Sequence, residues 1–205
     1  MKLKSLLGLA AVVAFAASPA GAQNYLLNFD AGLPGSLANA QAPAGLSFQY
    51  GELQELTDSY GDPTGVFNWG VDLTAPAVTV ENPNYYGYGT APSPQLALDS
   101  VFSPTLLLFS TPQDLGSFGL TLDNSTFGTL GLVNIEFYRS VAGGADLLLG
   151  TVAIDQTIPG QVISYGALSG VDKIVLPAGA LYDDVNIAVV PEPERPPCSD
   201  WECSD

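Results

Sequence analysis

Turn-forming residues divide this chain into short segments, and this feature limits its fold more than any other. Its 205 residues include 22 glycines and 16 prolines, which are spread along the whole length. After residue 22, no apolar period of 3.6 residues persists for the length of a helix, whereas short runs alternate between apolar and polar residues. The pattern predicts an all-β fold, a jelly-roll-like antiparallel β-sandwich of two sheets and roughly ten strands.

The predicted strands differ in how clearly they alternate. The clearest is residues 132–138, in which Val133, Ile135 and Phe137 alternate with polar residues, so one face is expected to be buried. A closing hairpin is predicted around a Pro-Ala-Gly turn, with Asp183 and Asp184 at the start of its last strand. Its strands are residues 171–176 and 181–190, and the others are residues 24–30, 46–50, 66–73, 77–81, 95–98, 105–109, 117–122, 145–154 and 160–165.

Three other stretches carry local predictions. Residues 52–56 are expected to form one helical turn before a tight turn at residues 61–65. Residues 82–94 are expected to form an exposed loop, because their prolines and glycines do not fit a central strand. The leucines at 147–149 predict a strand that is covered on both faces.

The two ends of the chain predict an exported protein with one folded domain. Lys2 and Lys4 precede an apolar run too short to span a bilayer, and small residues lie before Gln23, so residues 1–22 are interpreted as a cleavable signal peptide. Residues 23–190 are the predicted β-sandwich domain. Residues 191–205 are predicted to be a proline-rich, acidic, disordered tail, because a proline cannot continue the ladder of the last strand.

Charge and composition exclude several functions. Loss of the signal peptide would leave Arg139, Lys173 and Arg195 as the only basic residues against 21 acidic ones, so a nucleic-acid partner is excluded. The chain has no histidine, and Cys198 and Cys203 both lie in the tail, which removes triad, Cys-His and histidine-zinc chemistry. The composition therefore favours a protein that is not an enzyme.

Short motifs near both ends resemble those of a known family. The run VVPEPE contains Pro191, Glu192 and Pro193 and resembles the sorting motif of PEP-CTERM proteins, and NFD, FQYG and FNWG are similar to the opening of their β-sandwich ectodomains. The resemblance implies secretion to the surface or extracellular matrix of a Gram-negative bacterium that makes exopolysaccharide. The family continues into a membrane helix and a basic cluster, whereas residues 195–205 are acidic and lack an apolar run. We therefore expect no stable membrane anchor.

A carbohydrate-binding, lectin-like role is an alternative to a purely structural one. Aromatic rings stack on the C–H faces of sugars, and a loop on a rigid sandwich presents them well. The alternative is that these aromatic residues only pack against the core and the loops. The candidate sugar-binding residues are Tyr60, Trp69, Tyr85, Tyr86 and Tyr88.

A structural calcium ion is the only cofactor that the sequence suggests. The first and last strands of a jelly roll lie close together, which would bring Asp30 near Asp183 and Asp184. Calcium prefers such carboxylate ligands together with backbone carbonyls, and the alternative is that the three are solvated turn residues. A glycosidase that pairs Glu136 with Asp99 or Asp155 is a further alternative, since that chemistry needs two carboxyl groups.

Overall fold

The computed structural model describes residues 23–82, 96–125 and 131–190, and it confirms the all-β fold. Eleven strands and one short 3-10 helix, Ala38–Ala40, make up the regular structure of these residues. All the strand pairings are antiparallel. The strands are β1 Gln23–Leu27, β2 Leu46–Thr57, β3 Pro63–Val71, β4 Val80–Glu81, β5 Ala97–Ser100, β6 Thr105–Ser125, β7 Leu132–Arg139, β8 Leu147–Asp155, β9 Gln161–Tyr165, β10 Leu168–Leu176 and β11 Ala180–Val190.

One long strand, β6, belongs to both layers of the sandwich. Its first part lies between β2 and β10, and these three strands continue through β7 and β8 as the first layer. Its second part lies between β11 and β9, and β11 also pairs with β1 and β5 to form the second layer. The two layers are therefore one continuous hydrogen-bonded sheet of 11 strands.

The core lies where the two layers face each other. The rings of Phe118 in the second layer and Phe137 in the first layer meet edge to face at 5.1 Å, and Tyr165 stacks on Phe137 at 5.0 Å. Tyr25 and Phe109 make a similar contact between the layers at 6.5 Å. Burial of these large apolar side chains is the main stabilising contribution to such a fold.

The clearest alternations in the sequence give the expected faces. In β7, Ile135 and Phe137 are fully buried, whereas Glu136 and Tyr138 lie on the other face. In β11, Val185, Ile187 and Val189 are buried and alternate with the more exposed side chains between them. The predictions for these two strands are confirmed.

Three local predictions are wrong. Residues 52–56 form no helical turn, because β2 runs on to Thr57 and pairs with β3. Residues 105–109 and 117–122 belong to one strand, which bends between the layers near the exposed Pro112. Leu147 and Leu148 are 51% and 48% exposed, because β8 pairs only with β7 and lies at the edge of the first layer.

Several predictions concern residues that the structure does not describe. These are the signal peptide at 1–22, nearly all of the loop at 82–94, and the tail at 191–205 with Pro191, Glu192 and Pro193. Within the described part of the chain, no helix is long and apolar enough to cross a membrane.

Candidate functional site

Two of the predicted aromatic residues lie on a hairpin that we call the arm, residues 51–71. Trp69 is half-buried near its base, directly opposite Leu53, whereas Tyr60 lies in the turn at its tip and is 90% exposed. Four residues of extended strand, about 13 Å, separate Leu53 from Thr57, and Tyr60 lies beyond them in the turn. Trp69 and Tyr60 therefore do not form one aromatic platform. The other three predicted aromatic residues lie outside the described residues: Tyr85, Tyr86 and Tyr88.

A carboxylate of the first layer holds Trp69 in place. The indole Nε1 donates a hydrogen bond to Glu136 Oε2 at 3.0 Å, and the hydroxyl of Tyr138 donates to the same oxygen at 2.7 Å. Burial raises the pKa of Tyr138, and its hydrogen bond to the negatively charged Glu136 raises the pKa further. Tyr138 therefore keeps its proton at neutral pH and remains a donor to Glu136.

A buried ion pair also fastens the arm to the first layer. Lys173 Nζ lies 2.6 Å from Asp146 Oδ2, and it also donates to the backbone carbonyl of Trp69. Both charged side chains are less than a tenth exposed. Asn68 adds two further links, since its amide donates to the carbonyl of Gly144 at 3.0 Å and its oxygen accepts from the N–H of Asp146 at 2.9 Å. This network fixes the base of the arm.

The predicted glycosidase carboxylates lie apart. Glu136 pairs with Thr151 in the β7–β8 ladder, and Asp155 lies four residues farther along β8, about 13 Å away along the strand. Asp155 instead accepts hydrogen bonds from the N–H and the hydroxyl of Thr157, which lower its pKa. Asp99 lies on β5 in the second layer. Glu136 is occupied by Trp69 and Tyr138.

Of the predicted calcium residues, Asp183 and Asp184 lie on the last strand, whereas Asp30 lies in a turn three residues after the first strand, which ends at Leu27. β1 pairs with β11, which confirms that these strands are adjacent. Asp183 and Asp184 do not open β11 but lie inside it, at a bulge where Asp184 has a left-handed φ of 48°. The buried Asp183 carboxylate accepts the N–H of Asp184 at 2.7 Å, and Asp30 Oδ1 is buried with no hydrogen-bond partner in the structure.

Across residues 23–82, 96–125 and 131–190, no three acidic, histidine or cysteine side chains are arranged to hold a metal ion. Calcium binding by Asp30, Asp183 and Asp184 stays a prediction.

The structure brings Glu81, Asp99 and Asp183 onto one face of β4, β5 and β11, an arrangement that sequence reasoning missed although it named Asp99 and Asp183 separately. Asp99 lies opposite Leu181, and Asp183 lies on the same face two residues along β11. Burial raises the pKa of Glu81 on β4, and the negative charge of Asp99 raises it further. The spacing of Ala97, Asp99 and Val101 indicates that Asp99 lies on the same strand face as two apolar residues, but it does not reveal which strands are neighbours.

The outer face of the second layer contains a groove of about 380 Å³. Its floor is the outward side of β6, where Ser117, Gly119 and Thr121 alternate with residues of the core. Leu26 on β1 and Val162 on β9 border the floor on opposite sides, and they are 69% and 76% exposed. The groove is therefore a polar strip between two apolar side chains.

Further polar groups converge on this groove. Asn186 and Ser164 lie on either side of Gly119 in adjacent strands, and the missing side chain of the glycine leaves room between them. Among the described residues that line the groove, Asp184 is the only one that carries a charge. The sequence analysis singled out Asp184 but none of the hydroxyl or amide residues, because serine, threonine and asparagine in a strand are not a motif.

No family model and no curated protein matches this chain.

Proposed function

We propose that the protein is an exported, non-catalytic β-sandwich of the bacterial surface or extracellular matrix, of PEP-CTERM type, and that it binds neutral polysaccharide in the groove. The observation that carries the binding role is the composition of this groove. Hydroxyl and amide side chains both donate and accept hydrogen bonds, as sugar hydroxyls require, and they come from Ser117, Thr121, Ser164 and Asn186.

The two apolar residues at the sides add the second element of sugar recognition. Leu26 and Val162 offer exposed aliphatic surface to the C–H groups of a sugar ring, while the flat floor at Gly119 leaves space for the ring itself. A groove open to solvent suits a long polymer that enters from the side.

Charge determines which polysaccharides are expected. The whole chain has a formal charge of −16, so an anionic polymer is repelled, whereas a neutral polymer meets only Asp184 in the groove. Neutral glucans and galactans are therefore the expected ligands, and uronic-acid polymers are not.

The first test is a glycan array and sedimentation with insoluble polysaccharides, using residues 23–205. Val162→Asp, which places a charge at the side of the groove, is expected to weaken retention about tenfold or more. Leu132→Asp is the matched control, because Leu132 is 73% exposed at the start of β7. Equal retention of the two variants, or no retention of the unsubstituted protein by any neutral glycan, would contradict the proposal.

The second test addresses catalysis and export. A reducing-sugar assay on any retained polysaccharide is expected to give no release above that of the buffer. Expression in a Gram-negative host is expected to give protein outside the cytoplasm with Gln23 as its first residue, which mass spectrometry of the intact chain would detect.

A further inference from the structure

The arm is more exposed to solvent than the rest of the described sandwich. From Glu52 to Thr57 on β2 and from Pro63 to Phe67 on β3, every side chain except that of Leu56 is exposed. Among the strands of residues 23–82, 96–125 and 131–190, β3 pairs with β2 alone. A two-stranded ribbon is marginal in water, so an arm of this kind gains stability when another surface covers it.

Apolar side chains are concentrated on one face of this exposed ribbon. Phe67 and Trp69 lie on the same face of β3, two residues apart, and Leu53 lies directly opposite Trp69. Trp69 is partly covered by its contact with Glu136, but Phe67 and Leu53 are 54% and 57% exposed. Neighbouring exposed apolar residues of this size mark interaction surfaces.

The charges of the arm are all of one sign. It carries the carboxylates of Glu52, Glu55, Asp58 and Asp62 and contains no lysine or arginine. The basic side chains of the described sandwich are occupied elsewhere, Lys173 by Asp146 and Arg139 by the carbonyls of residues 169 and 170. A partner of complementary charge must therefore be basic, and a second copy of this acidic arm is repelled.

Near the tip of the arm, β3 has few backbone N–H groups left for pairing with another strand. Pro63 has no N–H, the N–H of Gly65 donates to Glu55 Oε1 at 2.8 Å, and the N–H of Val66 donates to Thr64 Oγ1 at 3.3 Å. Backbone pairing with another strand would break these bonds. The contact is therefore made by side chains on the face of the ribbon.

From these observations we infer that the arm is a docking surface for an extended protein segment that carries both apolar and lysine or arginine side chains. Its apolar residues cover Leu53 and Phe67, and its cations lie against Glu55, which pairs with Phe67 on the same face. This surface is on a different part of the sandwich from the groove, so the inference does not depend on the proposed function.

The probe for the test is a short synthetic peptide that alternates lysine and valine, with a glutamate and valine peptide as its control. Binding to residues 23–205 is measured by fluorescence anisotropy at two salt concentrations. Phe67→Ser is expected to weaken binding of the lysine peptide about tenfold, while Leu132→Ser leaves it unchanged. Glu55→Gln is expected to weaken it several-fold and to reduce its dependence on salt.

A control variant with the same net charge distinguishes docking from general attraction. Glu52→Gln removes an exposed carboxylate on the opposite face of the arm, and binding is expected to stay unchanged. Equal weakening by the two charge variants, or no effect of Phe67→Ser at an unchanged melting temperature, would overturn the inference. A dimer of the unsubstituted protein that Phe67→Ser dissociates would overturn it too, because the occupant would then be a second copy.

Discussion

Individual carboxylates of this protein have opposite effects on its stability, and Glu81 and Asp72 are the contrasting cases. Burial and then Asp99 raise the pKa of Glu81 above its ordinary value of 4.5. The hydroxyl and N–H of Thr74 lower the pKa of the exposed Asp72. The folded state therefore favours the protonated form of Glu81 and the ionised form of Asp72.

The first prediction concerns Glu81→Gln. Because the folded state binds this proton more tightly than the unfolded state, the contribution of Glu81 is fully present below pH 4.5 and is lost as the pH rises through its raised folded value. Glutamine removes the charge that is repelled by Asp99, and it keeps an acceptor for the N–H of Gly35. Melting curves are expected to show a variant more stable than the parent at pH 7 and equal to it at pH 4.

Asp72→Asn is the comparison of opposite sign. Its stabilising contribution is present above its ordinary pKa of 3.8 and is lost as the pH falls, so this variant is expected to be less stable than the parent at pH 7 and equal at pH 3. If each variant differed in stability from the parent by the same amount at every pH, neither effect would come from titration.

The second prediction concerns the buried pair of Lys173 and Asp146. Lys173→Met leaves the carboxylate of Asp146 buried without its cation, which costs about 3–5 kcal/mol in proteins. Urea unfolding is expected to show this loss. Adding Asp146→Asn to Lys173→Met removes the uncompensated charge and is expected to recover part of it. A double variant less stable than Lys173→Met alone would show that Asp146 has another role.

At the scale of the elements, β2 changes partners where it leaves the first layer. Tyr50 pairs with Thr105 of β6, and the next residue, Gly51, pairs with Val71 of β3. A Cβ at position 51 would lie 2.7 Å from Cδ2 and 2.8 Å from Cγ of Leu106, which is fully buried. The glycine therefore lets the arm cross closely over the first layer.

The third prediction follows from this close approach. Gly51→Ala overpacks the contact with Leu106 and is expected to destabilise the protein by about 1–3 kcal/mol in urea unfolding. Gly166→Ala is the matched control, because nothing lies within 4 Å of a Cβ at that position. Gly51→Ala with Leu106→Ala would regain room but lose buried apolar surface, so it distinguishes overpacking from a general effect of alanine. Unchanged stability of Gly51→Ala would mean that the crossing is less tight.

At the scale of the whole molecule, β11 connects the two ends of the chain to the core. It pairs with β1, β5 and β6 at once, and its buried residues Val185 and Ile187 belong to the main core. Removal of β11 would leave β1 and β5 without the strand that connects them to β6, and it would expose the core beneath them.

The fourth prediction concerns truncation. A chain that ends at Val190 keeps all the described strand pairings and is expected to melt within a few degrees of residues 23–205. A chain that ends before Leu181 loses β11 and is expected not to fold cooperatively. Circular dichroism melts compare the two chains. Unfolding of the chain that ends at Val190 would place the domain boundary farther along the sequence.

The sequence by itself determined the features that depend on near neighbours and on composition. Alternation in β7 and β11 fixed their buried faces, and glycine and proline excluded long helices from the described residues. The sequence also predicted the adjacency of the first and last strands, but not the ion pair of Lys173 and Asp146 or the groove. The ion pair and the groove depend on the register between strands that are far apart in the chain.

Only the tertiary structure decided that β6 runs unbroken through both layers and that residues 52–56 extend β2 into the arm. Local patterns describe which side chains alternate, but a strand's partners are chosen by burial and hydrogen bonding across residues far apart in the chain. The sequence analysis divided β6 into residues 105–109 and 117–122, but the exposed Pro112 lies where the pairing of β6 passes from β2 to β11. The same long-range pairing brought the outward side chains of β1, β6, β9 and β11 together in the groove.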